Sequence, residues 1–159
     1  MKKLIALSLL IVLTSCITQK GADGAPGEAG KSGKTSAWKI LHSGGYGGRE
    51  TASNEVIKSQ QELDALYREL NIEDIAKVDF ARQNVVAVFM GQKNTGGHSI
   101  TVQNVTVNNN TAEVLTVEEY PKRDDMVTMA LTAPYCIAVI PKTKEVKFID
   151  NTPPVRDDE

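Results

Sequence analysis

The sequence predicts an α+β domain made mostly of antiparallel sheet, curled or sandwich-like, with one packed helix. Seven or eight short runs rich in apolar and β-branched residues recur between residues 37 and 150, separated by polar or glycine- and proline-bearing breaks. Only one segment, Ser59 to Leu70, carries a helical repeat instead. Once the leader is set aside about 140 residues remain, enough for one real core and too few for two.

Residues 1–15 have the layout of an export leader: Lys2-Lys3 is a positive n-region, and Leu4 to Leu13 is apolar. As a helix that run spans roughly 15 Å, against about 30 Å of membrane hydrocarbon, so it is too short to serve as a span. Leu13-Thr14-Ser15-Cys16 follows at once. It resembles the bacterial lipobox, which implies cleavage before Cys16, diacylglyceryl on its sulfur and an acyl chain such as palmitate on its new amino group. Chains of that kind, at about 0.8 kcal/mol per buried methylene, hold a protein on a membrane surface. Residues 16–36 are then expected to be a flexible tether with glycine at every third position, Gly21, Gly24, Gly27, Gly30 and Gly33. That period is collagen's, but the triplets are few and hold one proline, Pro26. As a coil the stretch reaches about 25 Å, enough to lift the domain clear of the lipid headgroups.

The domain itself is expected over residues 37–150. Ala37 to His42 is a short strand broken by Gly44-Gly45-Tyr46-Gly47-Gly48, and Glu55 to Lys58 is a second. Ser59 and Glu62 make a capping box, and Leu63, Leu66, Tyr67 and Leu70 form one apolar stripe at helical spacing. Val85 to Met90 has no polar residue on either face of a pleat, so it is expected to be covered on both sides. A polar turn, Gly91 to His98, joins it to Ser99–Val107, and the pair is expected to form a central hairpin. The change of parity between Val102 and Val105 predicts a bulge. Asn108-Asn109-Asn110 is a turn into Thr111–Glu119, because asparagine tolerates the left-handed region. Met126–Thr132, Tyr135–Ile140 and Glu145–Ile149 supply three more strands, and residues 151–159 are expected to be a disordered tail.

Chemistry-bearing groups are few. The only histidines are His42 and His98, and Ser99 next to His98 points to the opposite face of a strand. If Cys16 is lipidated, the only other cysteine is Cys136, in an apolar run, so no intramolecular disulfide forms. No zinc, calcium or P-loop motif is present, so no catalytic residue, metal or cofactor is expected. Without Lys2 and Lys3 the 18 basic residues fall to 16 against 20 acidic, a net charge of −4 with no basic face for nucleic acid. Thr95, Gly96, Gly97 and His98 are the candidate partner-binding residues: the glycines permit a backbone shape closed to others, and the polar pair edges it. Such a turn either only closes a hairpin or presents amides and His98 to a partner.

The order Asp79-Phe80, Val85-Val86, Phe89, Gly91 through Thr95-Gly96-Gly97 to Ser99-Ile100, then Thr132, Pro134-Tyr135 and Pro141-Lys142, resembles the C-terminal domain of the protease complex subunit family called PrcB. The likeness runs from about Gly44 to Ile149. Asn94 and His98 stand where proline and tyrosine are expected around Thr95-Gly96-Gly97, so the turn lacks its aromatic tip. The resemblance implies a non-catalytic accessory lipoprotein that stabilises a protease of the bacterial envelope, at the outer membrane or cell surface, with no small-molecule substrate. Thr95-Gly96 is also similar to the threonine–glycine loop of chagasin-type cysteine-protease inhibitors, which gives an alternative, an inhibitor-like binder. A structural envelope lipoprotein is the third.

Overall fold

A computed structural model describes residues 34–35 and 37–153 of the chain. The leader, Cys16, the glycine-triplet segment and residues 154–159 lie outside the described residues. Eight strands form two four-stranded sheets. One holds β1 (Lys34–Thr35), β5 (Ser99–Asn108), β6 (Thr111–Glu119) and β8 (Glu145–Asp150), in that order. The other holds β2 (Lys39–Gly44), β7 (Tyr135–Pro141), β4 (Gln83–Phe89) and β3 (Ser53–Ile57). Every pairing is antiparallel except β6 with β8, which is parallel.

The unbroken apolar runs of β4 and β7 put their sheet in the middle layer. Val85, Ala87 and Phe89, with Tyr135, Ile137 and Val139, pack against Leu63, Leu66 and Tyr67 of helix α1 (Gln60–Glu69) and against its C-cap residue Leu70. The alternate residues Val86, Val88 and Met90, with Cys136, Ala138 and Ile140, face Ile100, Val102, Val105, Ala112 and Val114 of the second sheet. A strand apolar on both faces has to be covered twice, and the helix supplies the second cover. Each large side chain fully buried in this way contributes about 1.5–3 kcal/mol, which is why the two strands take the centre.

Local chemistry fixes the rest. Ser59 caps α1 from extended backbone (φ −140°, ψ 155°) and accepts from the Glu62 N–H at 3.2 Å, while the Glu62 carboxylate accepts from the Lys58 N–H at 2.7 Å. At the β5–β6 turn Asn109 and Asn110 both take positive φ, 48° and 65°, the shape a tight hairpin demands. The register slips between Val102 and Asn104, where the parity change predicted a bulge.

Two expectations are corrected. β4 and β5 are no hairpin: β4 is flanked by β3 and β7, β5 by β1 and β6, and residues 90–98 cross from one sheet to the other. The reason lies in their faces, since β5 alternates buried Ile100 and Val102 with exposed or half-exposed Thr101 and Gln103 and needs cover on one side only. Met126–Thr132 forms no strand; only Thr132 pairs, in an isolated bridge with Lys93. Pro141 to Lys144 likewise crosses between sheets, from β7 to β8. Within the stretch expected as tether, β1 pairs Lys34 and Thr35 with Val107 and Thr106.

Candidate functional site

The crossover after β4 carries the Thr95–His98 turn. Gly97 has φ 82°, and a Cβ there would lie 3.0 Å from Pro121 Cβ and 3.1 Å from Val127 Cγ1. At Gly96 a Cβ would lie 2.5 Å from Thr128 Oγ1. Both glycines are therefore required by the close approach of residues 121–128. The same two segments are joined through the backbone. Gly96 N–H donates to the Thr128 carbonyl at 2.8 Å, Lys93 and Thr132 exchange bonds of 2.8 and 2.9 Å, and the Thr132 hydroxyl donates to the Thr95 carbonyl at 2.8 Å.

The turn's polar side chains bond to each other. Thr95 Oγ1 and His98 Nε2 are 3.1 Å apart, and both residues are half-buried rather than exposed. His98 stands edge-on to Tyr120, with ring centroids 5.6 Å apart at 87°. The Tyr120 hydroxyl donates to the Glu118 carboxylate, which pushes its pKa up to about 12. Burial, with the charge of Lys93, lowers the His98 pKa, and Glu118 opposes the shift, so the ring is neutral near pH 7.

Around this turn three loops fuse into one end of the sandwich. Gly48 N–H donates to the Ala133 carbonyl (3.0 Å) and Ala133 N–H to that of Gly45 (3.1 Å), strapping down the glycine loop. Arg49 anchors the base of that loop. Its guanidinium donates to Glu69 (2.7 and 3.0 Å) and Glu55 (3.0 and 3.3 Å) and lies 4.4 Å from the centre of the Phe89 ring. The loops also gather exposed apolar side chains. Of seven large hydrophobics exposed among the described residues, five sit here: Tyr46, Tyr120, Met126, Met129 and Leu131. Met126 and Met129 are almost wholly in solvent, and Leu131 is 63% exposed. A concentration of that kind is a candidate interaction surface, and methionine's flexible thioether suits one that must adapt.

Residues 84–141 match the family model described as PrcB C-terminal. That segment is similar to the PrcB C-terminal family. No curated protein and no solved structure matches the chain. The PrcB segment is narrower than the Gly44–Ile149 likeness. It runs from β4 through β7 and holds both the Thr95–His98 turn and the whole of residues 120–134.

Within the PrcB segment, sequence reasoning picked the turn and missed its neighbour. Met126, Met129 and Leu131 carry a strand-like pattern and were expected inside a sheet. The signal against that was the proline on either side, Pro121 and Pro134, with the charged Lys122 to Asp125 ahead of the run. His42 stacks on Tyr135, centroids 5.7 Å apart, with Nδ1 3.0 Å from its hydroxyl, in a cluster separate from that of His98. Cys136 is buried, and burial raises its pKa, so the thiol is held protonated and unreactive. Glu119 accepts from the Ser99 hydroxyl at 2.9 Å, and Asp125 from the Lys122 N–H at 2.8 Å. No group of three or more metal-ligating side chains occurs among the described residues. His98 Nδ1 has no hydrogen-bond partner among the described residues.

Proposed function

We propose that this protein is a non-catalytic accessory subunit of a bacterial envelope protease, held at the membrane by lipid on Cys16, and that it binds the protease through the loop end of its sandwich. The observation that carries the reading is the exposed cluster of Met126, Met129 and Leu131 inside the segment that matches the PrcB family. Thr95, Gly96, Gly97 and His98 contribute as the footing of that surface, because Gly96 bonds to Thr128 and Gly97 packs under Val127. The name of the family is that of a protease complex subunit, which supplies the class of partner. The lipobox at Leu13 to Cys16 supports the tether.

A pull-down with the tagged, lipidated protein from detergent-solubilised membranes of the producing cell tests it. The eluate is expected to contain a protease that stays active and outlasts the same protease in cells lacking the subunit. Loss of protease activity in the complex would favour the inhibitor instead, and an eluate without protease would overturn the reading.

A further inference from the structure

We propose that residues 127–131, joined to the crossover through the Thr128 carbonyl but part of neither sheet, present an open backbone edge, and that this edge takes an extended segment of the partner protein as an added strand. The inference rests on the protein-binding reading above and names how the partner is held.

In an extended chain the backbone groups of alternate residues point to the same side. Here the bonds to the crossover all come from even-numbered residues: the Thr128 carbonyl accepts from Gly96, Thr132 exchanges bonds with Lys93, and the Pro134 carbonyl accepts from the Met90 N–H at 3.0 Å, while Ala130 has no backbone partner among the described residues. Ala133 faces the other way and is satisfied by Gly45 and Gly48. Val127, Met129 and Leu131 share the parity of Ala133, and none of them has a backbone hydrogen-bond partner among the described residues. The second side of the segment is thus paired at one residue by the glycine loop and then left open for roughly 16 Å.

The composition of this edge sets it apart from the others. Exposed edges are ordinarily kept from pairing by charge, shortness or a bulge. β1 is two residues long, and β2 carries Lys39 and a register break between Ile40 and His42. β3 carries Glu55, and β8 carries Glu145, Lys147 and Asp150. Met126 to Thr132 contains no charge and no proline. Its exposed Met129 and Leu131 offer apolar contacts for the alternate side chains of an incoming strand, and Tyr46 stands exposed on the loop that ends the edge. Two copies joined by edges this short fall well below the roughly 1,200 Å² of a stable interface. A partner's extended segment can also reach the flanking Tyr46 and Tyr120.

The test uses the soluble protein lacking residues 1–16 and a lysine-flanked octapeptide of alternating threonine and valine, followed by amide exchange in NMR. The peptide is expected to slow exchange at Met129 and Leu131 at least tenfold and to leave Thr132 unchanged. A version N-methylated at alternate residues, so that the edge meeting the protein has no donors, is expected to do nothing. Equal protection by both peptides, or none by either, overturns strand addition. Protection that grows with protein concentration alone, or with phosphatidylglycerol vesicles, also overturns it by giving the edge to a second copy or to lipid. The two readings fail separately. Protease capture without peptide protection overturns the strand alone, and peptide protection without capture supports the edge while removing the protease as its occupant.

Discussion

At the Thr95–His98 turn one imidazole does both packing and titration. Burial and Lys93 hold the folded pKa of His98 below the ordinary 6.5. Between those two values the unfolded chain binds more protons than the folded one, so stability rises with pH across that window. The contribution of the neutral ring is complete above 6.5 and is lost as pH falls toward the folded value. Urea titrations from about pH 7.5 down to 5.5 should therefore show falling stability, and His98→Asn should flatten that slope. Glu69, lowered by its hydrogen bond from Arg49, acts in a different window: its contribution is present above 4.5 and is lost as pH falls through its depressed folded value. A slope below pH 4.5 that persists in His98→Asn and weakens in Arg49→Met separates the two. Because Thr95 is half-buried and bonded to His98, Thr95→Ala should cost about 1 kcal/mol, more than the few tenths of an exposed site. Gly97→Val should cost about 2–3 kcal/mol or more, since it adds a branched side chain at φ 82° against Pro121 and Val127. A melting temperature unchanged in Gly97→Val would contradict the packing described for the turn.

Among the elements, those with a local code were legible. The capping box, the apolar stripe of α1, the asparagine turn and the bulge each depend on residues a few positions apart, and all stand where the sequence puts them. Ser59→Ala should remove about 1 kcal/mol, and Leu66→Ala, which opens the helix–sheet core, about 2–5 kcal/mol. Partner choice between strands was not legible, because alternation reports how many faces are buried and not which strand lies alongside. Val85–Met90 and Ser99–Val107 looked like one hairpin on that account, although doubly covered and singly covered strands belong to different sheets here. Met126–Thr132 failed for the opposite reason. Its pattern is that of a strand, yet among the described residues its backbone is bonded only at the Thr128 carbonyl and at Thr132, too little to make it one.

For the whole molecule, the three loops make one surface only because backbone bonds join them at Gly45, Gly48, Lys93, Gly96, Thr128, Thr132 and Ala133. The sequence pointed to two of these loops and gave no sign that they meet, since contacts across about ninety residues leave no local trace. If lipid on Cys16 sets the location, Cys16→Ser should move the protein from the membrane to the soluble fraction and abolish labelling by fatty acid; unchanged partition would refute the tether. The apolar loop end is the proposed binding face for the protease. The most direct test is the affinity of the purified protease for the wild-type domain and for Met126→Asp/Met129→Asp/Leu131→Asp, with Ile149→Asp, an exposed apolar site on β8, as control. Binding at least about a hundredfold weaker is expected for the triple variant, with near wild-type binding for the control and melting temperatures within a few degrees for all three. Equal affinity of the triple variant and the wild type would contradict it.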